Sequence, residues 1–125
     1  MAAHKPDAPV SAAVKTIDVT IAINQSLSGT IDLTGYTLVG IVTPAAWTAA
    51  DITLVAATTD GGTYNPVYEN SDTEFTLQVG ASRFIVLPVS LTHPLRFIQI
   101  RSGTAGVPVT QAAARTLNLI VRPIS

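Results

Sequence analysis

The chain has 125 residues, 47% of them hydrophobic, 12% charged and 6% aromatic, with no cysteine and a net charge of −1. This length is that of one domain; the lack of cysteine excludes disulfide scaffolds, cysteine zinc sites and thiol catalysis; and seven Lys and Arg against eight Asp and Glu leave no basic footprint for nucleic acid. A charged fraction about half the usual ~25% excludes a self-repelling disordered chain, and points to a surface that faces other protein.

Residues 1–15 are rich in alanine, carry two prolines and show neither strand alternation nor a helical face, so they read as an extended N-terminal arm preceding a domain over 16–125. Within it His4, Lys5, Pro6, Val10, Val14 and Lys15 are the candidate partner-binding residues. No apolar run of signal-peptide length opens the chain, and no window approaches the ~18 apolar residues of a membrane span. A soluble product made in the cytoplasm, without a membrane partner, is therefore expected.

From Thr16 the texture changes to Thr- and Val-rich runs with period-two alternation. Thr16 to Ile23 sets Ile17, Val19, Ile21 and Ile23 on one face, and Leu27 to Leu33 sets Leu27, Gly29, Ile31 and Leu33 on one side. Tyr36 to Thr43 holds adjacent apolar pairs, as in a central strand buried on both faces. Pro44 to Ala50 suits one or two helical turns, with proline at the first position and alanines after it.

Asp51 to Thr58 resumes as a strand, and Thr59-Asp60-Gly61-Gly62 is a turn. Tyr64 to Glu69 pairs back across it at an edge, because Pro66 cannot donate to a ladder. Glu74 to Val79, Arg83 to Val89 and Leu95 to Arg101 follow as strands; 107–114 reads as a loop; and Thr116 to Val121 is the last strand before Pro123. Eight or nine short strands without crossover helices predict an all-β, antiparallel β-sandwich of jelly-roll-like form.

Catalytic chemistry needs a tunable acid, base or nucleophile. The histidines are His4 in the arm and His93 in a Thr-His-Pro turn, and no G-x-S-x-G nucleophile elbow occurs, so no catalytic residue and no cofactor are assigned. The acidic stretch from Glu69 to Glu74, with Asp60, offers oxygen ligands to calcium but matches no EF-hand loop, and it reads as a polar turn whose side chains cap their own backbone. Trp47, Tyr64 and Tyr68 are the candidate surface aromatics of a carbohydrate- or receptor-binding module; the competing assignment makes Trp47 a plug at one end of the sandwich and sets both tyrosines on one strand face as packing residues. Arginine outnumbers lysine five to two, the preference found at protein interfaces.

The run from Leu38 to Leu54, followed by Asp60-Gly61-Gly62-Thr63-Tyr64 and later by Ile98-Gln99-Ile100-Arg101-Ser102-Gly103-Thr104, resembles small β-sandwich proteins encoded among the virion genes of tailed bacteriophages and prophages. The resemblance covers most of residues 27–122 and implies a capsid decoration, or cement, protein. Such a protein sits on the outside of the shell, bridges neighbouring major capsid protein subunits, and acts as a homo-oligomer, a dimer or trimer. Similar sandwiches serve in tails and fibres, where a carbohydrate- or receptor-binding role is the alternative. The implied location is the virion surface, after synthesis in the bacterial host cytoplasm.

Overall fold

The computed structural model describes residues 14–124. Its elements in chain order are β1 (Lys15–Ile21), β2 (Ile31–Asp32), β3 (Tyr36–Val42), β4 (Ile52–Ala57), β5 (Asn65–Pro66), β6 (Tyr68–Asn70), β7 (Thr73–Glu74), β8 (Thr76–Leu77), β9 (Phe84–Val86), the one-turn helix α1 (Val89–Thr92), β10 (Phe97–Ser102) and β11 (Arg115–Pro123). One sheet has the order β1-β11-β3-β9; the second has the order β2-β10-β4-β5, with β8 also on β4; β6 and β7 form a separate ribbon. Every pairing is antiparallel.

The partners nest. β4 pairs with β5, β3 with β9, β2 with β10 and β1 with β11, so the chain is one long hairpin wound around itself, with successive levels falling alternately in the two sheets. That is the winding of a jelly roll, and it confirms the all-β sandwich expected from the alternation. Alternation along the strands, shifted by one residue in β3 where the β3–β11 register breaks at a bulge, puts Val19, Ile21, Leu38, Ile41, Leu117, Leu119 and Val121 of the first sheet against Ile52, Leu54, Ile98 and Ile100 of the second, all buried. Each such side chain contributes roughly 1.5–3 kcal/mol by leaving water.

Several expectations are corrected. Lys15 belongs to β1, where it opposes Val121, so the sandwich begins one residue earlier than the alternation indicated. Ile23 is exposed, because β1 ends at Ile21 and the chain turns through Asn24, whose φ is +63°. In 27–33 the continuous ladder is β2, with only isolated bridges of Leu27 to Arg101 and Ser28 to Ile21 before it; Leu27 is exposed, while Ser28 is buried with its hydroxyl accepting the Ile100 N–H. A polar side chain that finds an internal partner has reversed the expected alternation at 27–28, while Ile31 and Leu33 are buried as expected.

Residues 44–50 make bends and no helical turn. The Thr48 N–H and C=O that a helix would use are taken instead by the side chain of Gln111. The strand expected to reach Val89 ends at Val86, and a helical turn follows Pro88, with the Thr92 hydroxyl donating to the Leu38 carbonyl of β3. The edge position of Pro66 and the central position of β3 are as expected. The strands number eleven rather than eight or nine among the described residues, because 65–77 divides into four short pieces.

Candidate interaction face

The outer faces of the two sheets differ. In β4 and β10, Ile52, Leu54, Ile98 and Ile100 point to the core, so Thr53, Val55, Ala57, Phe97 and Arg101 point away from it; yet these too are buried. The chain between β4 and β9 covers them. Glu74 of β7 reaches past β4 to form an ion pair with Arg101, accepts the Ala105 N–H, and leaves Arg101 Nε to donate to Thr53 Oγ1 at 2.9 Å. Tyr64, beside β5, donates to Thr30 Oγ1, which leads into β2 at the opposite side of that sheet.

The first sheet has no such cover among the described residues. Over β1 and β11 its outer face is polar: the Thr20 and Thr116 hydroxyls lie 3.0 Å apart, and Asn118 Nδ2 donates to Asp18. Over β3 and β9 it is apolar, with Phe84 63% and Val86 76% exposed, and Val39, Val42 and Ile120 half-buried beside them. Gly40 makes room for this arrangement. A Cβ there would sit 3.1 Å from Phe84 Cε1 and 3.3 Å from Ile120 Cγ1, so the bare backbone lets the phenyl ring lie across β3.

Val89 of α1, which follows β9, and Ile124, which follows β11, both about half exposed, continue the apolar band along the sheet, where they line one groove together. Two shallow grooves flank it. One of about 240 Å³ is lined by Thr37, Val39, Val89, His93, Arg122 and Ile124, and one of about 370 Å³ by Leu33, Tyr36, His93, Leu95, Arg96 and Ile124. Charge at their rim is held internally. The Asp32 carboxyl lies below the usual carboxylate range because the hydroxyl and N–H of Thr34 both donate to it, with the Arg96 guanidinium adding to the effect. Arg96 in turn donates to Thr34 Oγ1 and lies over the Phe97 ring. What such a face can do physically is bury apolar area against another surface, at about 25 cal/mol per Å².

The opposite end of the sandwich is closed by a residue of the loop expected over 107–114. Gln111 is fully buried. Its Nε2 donates to the Thr48 carbonyl and to Ser102 Oγ, its Oε1 accepts from the Thr48 N–H and Arg115 Nε, and its backbone bonds Asn24 and Gln25. One residue, through its side chain and backbone, thus ties the loop that carries it to the loops 22–30 and 43–51. No periodic signal marks it; the available hint is a lone glutamine amid alanines in an otherwise featureless loop.

Of the arm candidates, His4, Lys5, Pro6 and Val10 lie outside the described residues. Val14 is exposed, and Lys15 donates from Nζ to Tyr36 Oη at 2.8 Å with its ammonium over the same ring, so its charge is engaged within the domain. Trp47 is half-buried against the core and donates to the Ala50 carbonyl at 3.2 Å, the plug arrangement. Tyr64 and Tyr68 do not share a strand: Tyr64 precedes β5, and Tyr68 stands exposed on β6 opposite Glu74. The acidic stretch caps itself, with Asn70 Oδ1 accepting the N–H groups of Asp72 and Thr73. The arginine excess is also spent internally, since Arg83, Arg96, Arg101 and Arg115 each bond to groups of the chain itself. No protein-family model matches the chain, and no curated protein is found similar to it.

Proposed function

We propose that this chain is a structural virion protein of the capsid decoration type, which binds the outside of a tailed-phage shell and bridges major capsid protein subunits. The observation that carries the reading is the asymmetry of the sandwich: one outer face is sealed by the chain's own β5–β8 segment, while the other presents Phe84, Val86, Val89 and Ile124 to solvent. A sparsely charged face with its few rim charges satisfied internally suits burial against a protein lattice, where unpaired charges are costly. Residues 1–13 precede β1 and can span up to about 45 Å when extended, farther than the radius of the domain. They supply the reach to a neighbouring subunit that bridging requires. The fibre-module alternative asks for aromatic rings gathered on one face, and the placements of Trp47, Tyr64 and Tyr68 give it no support.

The test is occupancy on purified capsids of the phage that encodes the chain. Deleting residues 2–13, or introducing Val89→Asp with Ile124→Asp at exposed positions, is expected to lower occupancy at least tenfold and to remove the added heat resistance of the shell. Unchanged occupancy in both variants contradicts the reading.

A further inference from the structure

Among the described residues, strand β9 is an open sheet edge without the usual protection. Natural edges are blunted by charge, proline, shortness or a covering segment, and the other edges of the two main sheets conform. β1 carries Lys15 and Asp18, β5 carries Pro66, β2 is two residues long and one of them is Asp32, and β8 is likewise only two residues long. β9 reads Phe84-Ile85-Val86, with no charge and no proline within it.

Its hydrogen bonding can be assigned residue by residue. The Leu87 N–H donates to the Val39 carbonyl and the Thr43 N–H to the Arg83 carbonyl, while Ile85 opposes Ile41 in register. Residues that exchange bonds alternate along an antiparallel pair. Arg83, Ile85 and Leu87 therefore bond inward to β3, and the N–H and C=O groups of Phe84 and Val86 point to the open edge. The same two residues carry the most exposed apolar side chains of β9 and its sheet.

We infer that β9 pairs antiparallel with β9 of a second copy, about a two-fold axis through Ile85, joining the two four-stranded sheets into one of eight strands. The register is self-complementary. A two-fold at Ile85 sets Phe84 opposite Val86 of the partner copy, and the outward N–H of each meets the outward C=O of the other, giving four new hydrogen bonds. Residues directly opposite lie on the same face, so each exposed phenyl ring packs against an exposed valine. The nearest charge, Arg83, falls opposite Leu87, so no like charges are brought together, and a net charge of −1 adds little repulsion between copies.

A three-residue edge with the adjoining Val89 covers less than the roughly 800 Å² per partner of a standard stable interface. The dimer is therefore reversible, half-formed between about 10 µM and 1 mM protein. It doubles the apolar face proposed to dock on the shell, but it is a property of the isolated protein and is measured without capsids, so either proposal can fail alone.

The experiment is sedimentation velocity of the full chain across that concentration range. A monomer–dimer equilibrium is expected. Val86→Pro removes an outward N–H that β3 does not use and should raise the dissociation constant tenfold or more, whereas Val86→Thr, which keeps the backbone donor, should raise it less. In the cysteine-free chain, Ile85→Cys should give a covalent dimer on mild oxidation. Phe84→Cys should not, because across this two-fold its two Cα atoms lie beyond the ~7 Å that a disulfide spans. A monomer at all concentrations, a dimer indifferent to Val86→Pro, or cross-linking through Phe84→Cys in preference to Ile85→Cys would overturn the pairing.

Discussion

At the scale of single residues, Gln111 concentrates more internal bonding than any feature the sequence advertises. Four side-chain bonds and two backbone bonds satisfy it in a site without exposure. Gln111→Ala leaves the Thr48 N–H and C=O and the Ser102 hydroxyl without that partner, and leaving buried polar groups unmatched costs about 1–3 kcal/mol. A loss of about 3 kcal/mol in urea-induced unfolding is expected; a change under about 0.5 kcal/mol would show that water replaces the amide freely. The residue was illegible because pattern reading weighs apolar alternation, and a buried polar hub has none. The glycine at position 40 was equally silent, since its use depends on Phe84, more than forty positions away.

At the scale of elements, the sequence was legible where one face of a strand meets the core. β1, β3, β4, β10 and β11 fall within a residue or two of their expected places because their apolar periodicity is imposed by burial. Legibility failed where local bonds compete: at 44–50, where Gln111 takes the backbone groups of Thr48, and at Ser28, whose hydroxyl is turned inward. It failed again for the β5–β8 cover, whose purpose is to seal an outer face and whose short pieces carry little alternation. The ion pair between Glu74 and Arg101 holds that cover down, with both side chains nearly buried. Glu74→Ala should cost about 3 kcal/mol by stranding the guanidinium, whereas Glu74→Leu combined with Arg101→Met should restore most of it. Thermal unfolding of the three proteins checks this, and equal losses in the single and double variants would show that packing, and not charge, holds the cover in place.

At the scale of the molecule, the low charge that opens the sequence resolves into a spatial pattern. Charged and polar groups are drawn into internal ties: Arg101 to Glu74, Arg96 to Thr34, Arg115 to Gln111 and Lys15 to Tyr36. What remains outside is a face with one polar half and one apolar half, and the apolar half ends at an open edge. One sheet is sealed by the chain's own segment while, among the described residues, the other is bare, an asymmetry that suits the proposed burial against other protein. The proposed phage address rests on the resemblance of residues 38–54, 60–64 and 98–104, and the proposed docking face rests on exposure and register. The measurement that tests both together is a cryo-EM map of the particle that carries this chain. The account predicts density for the sandwich on the outer surface of the capsid, with Val89 and Ile124 of the first sheet's apolar side against the shell. Density confined to a tail or fibre, or a sandwich that contacts the shell through its sealed second sheet, would contradict it.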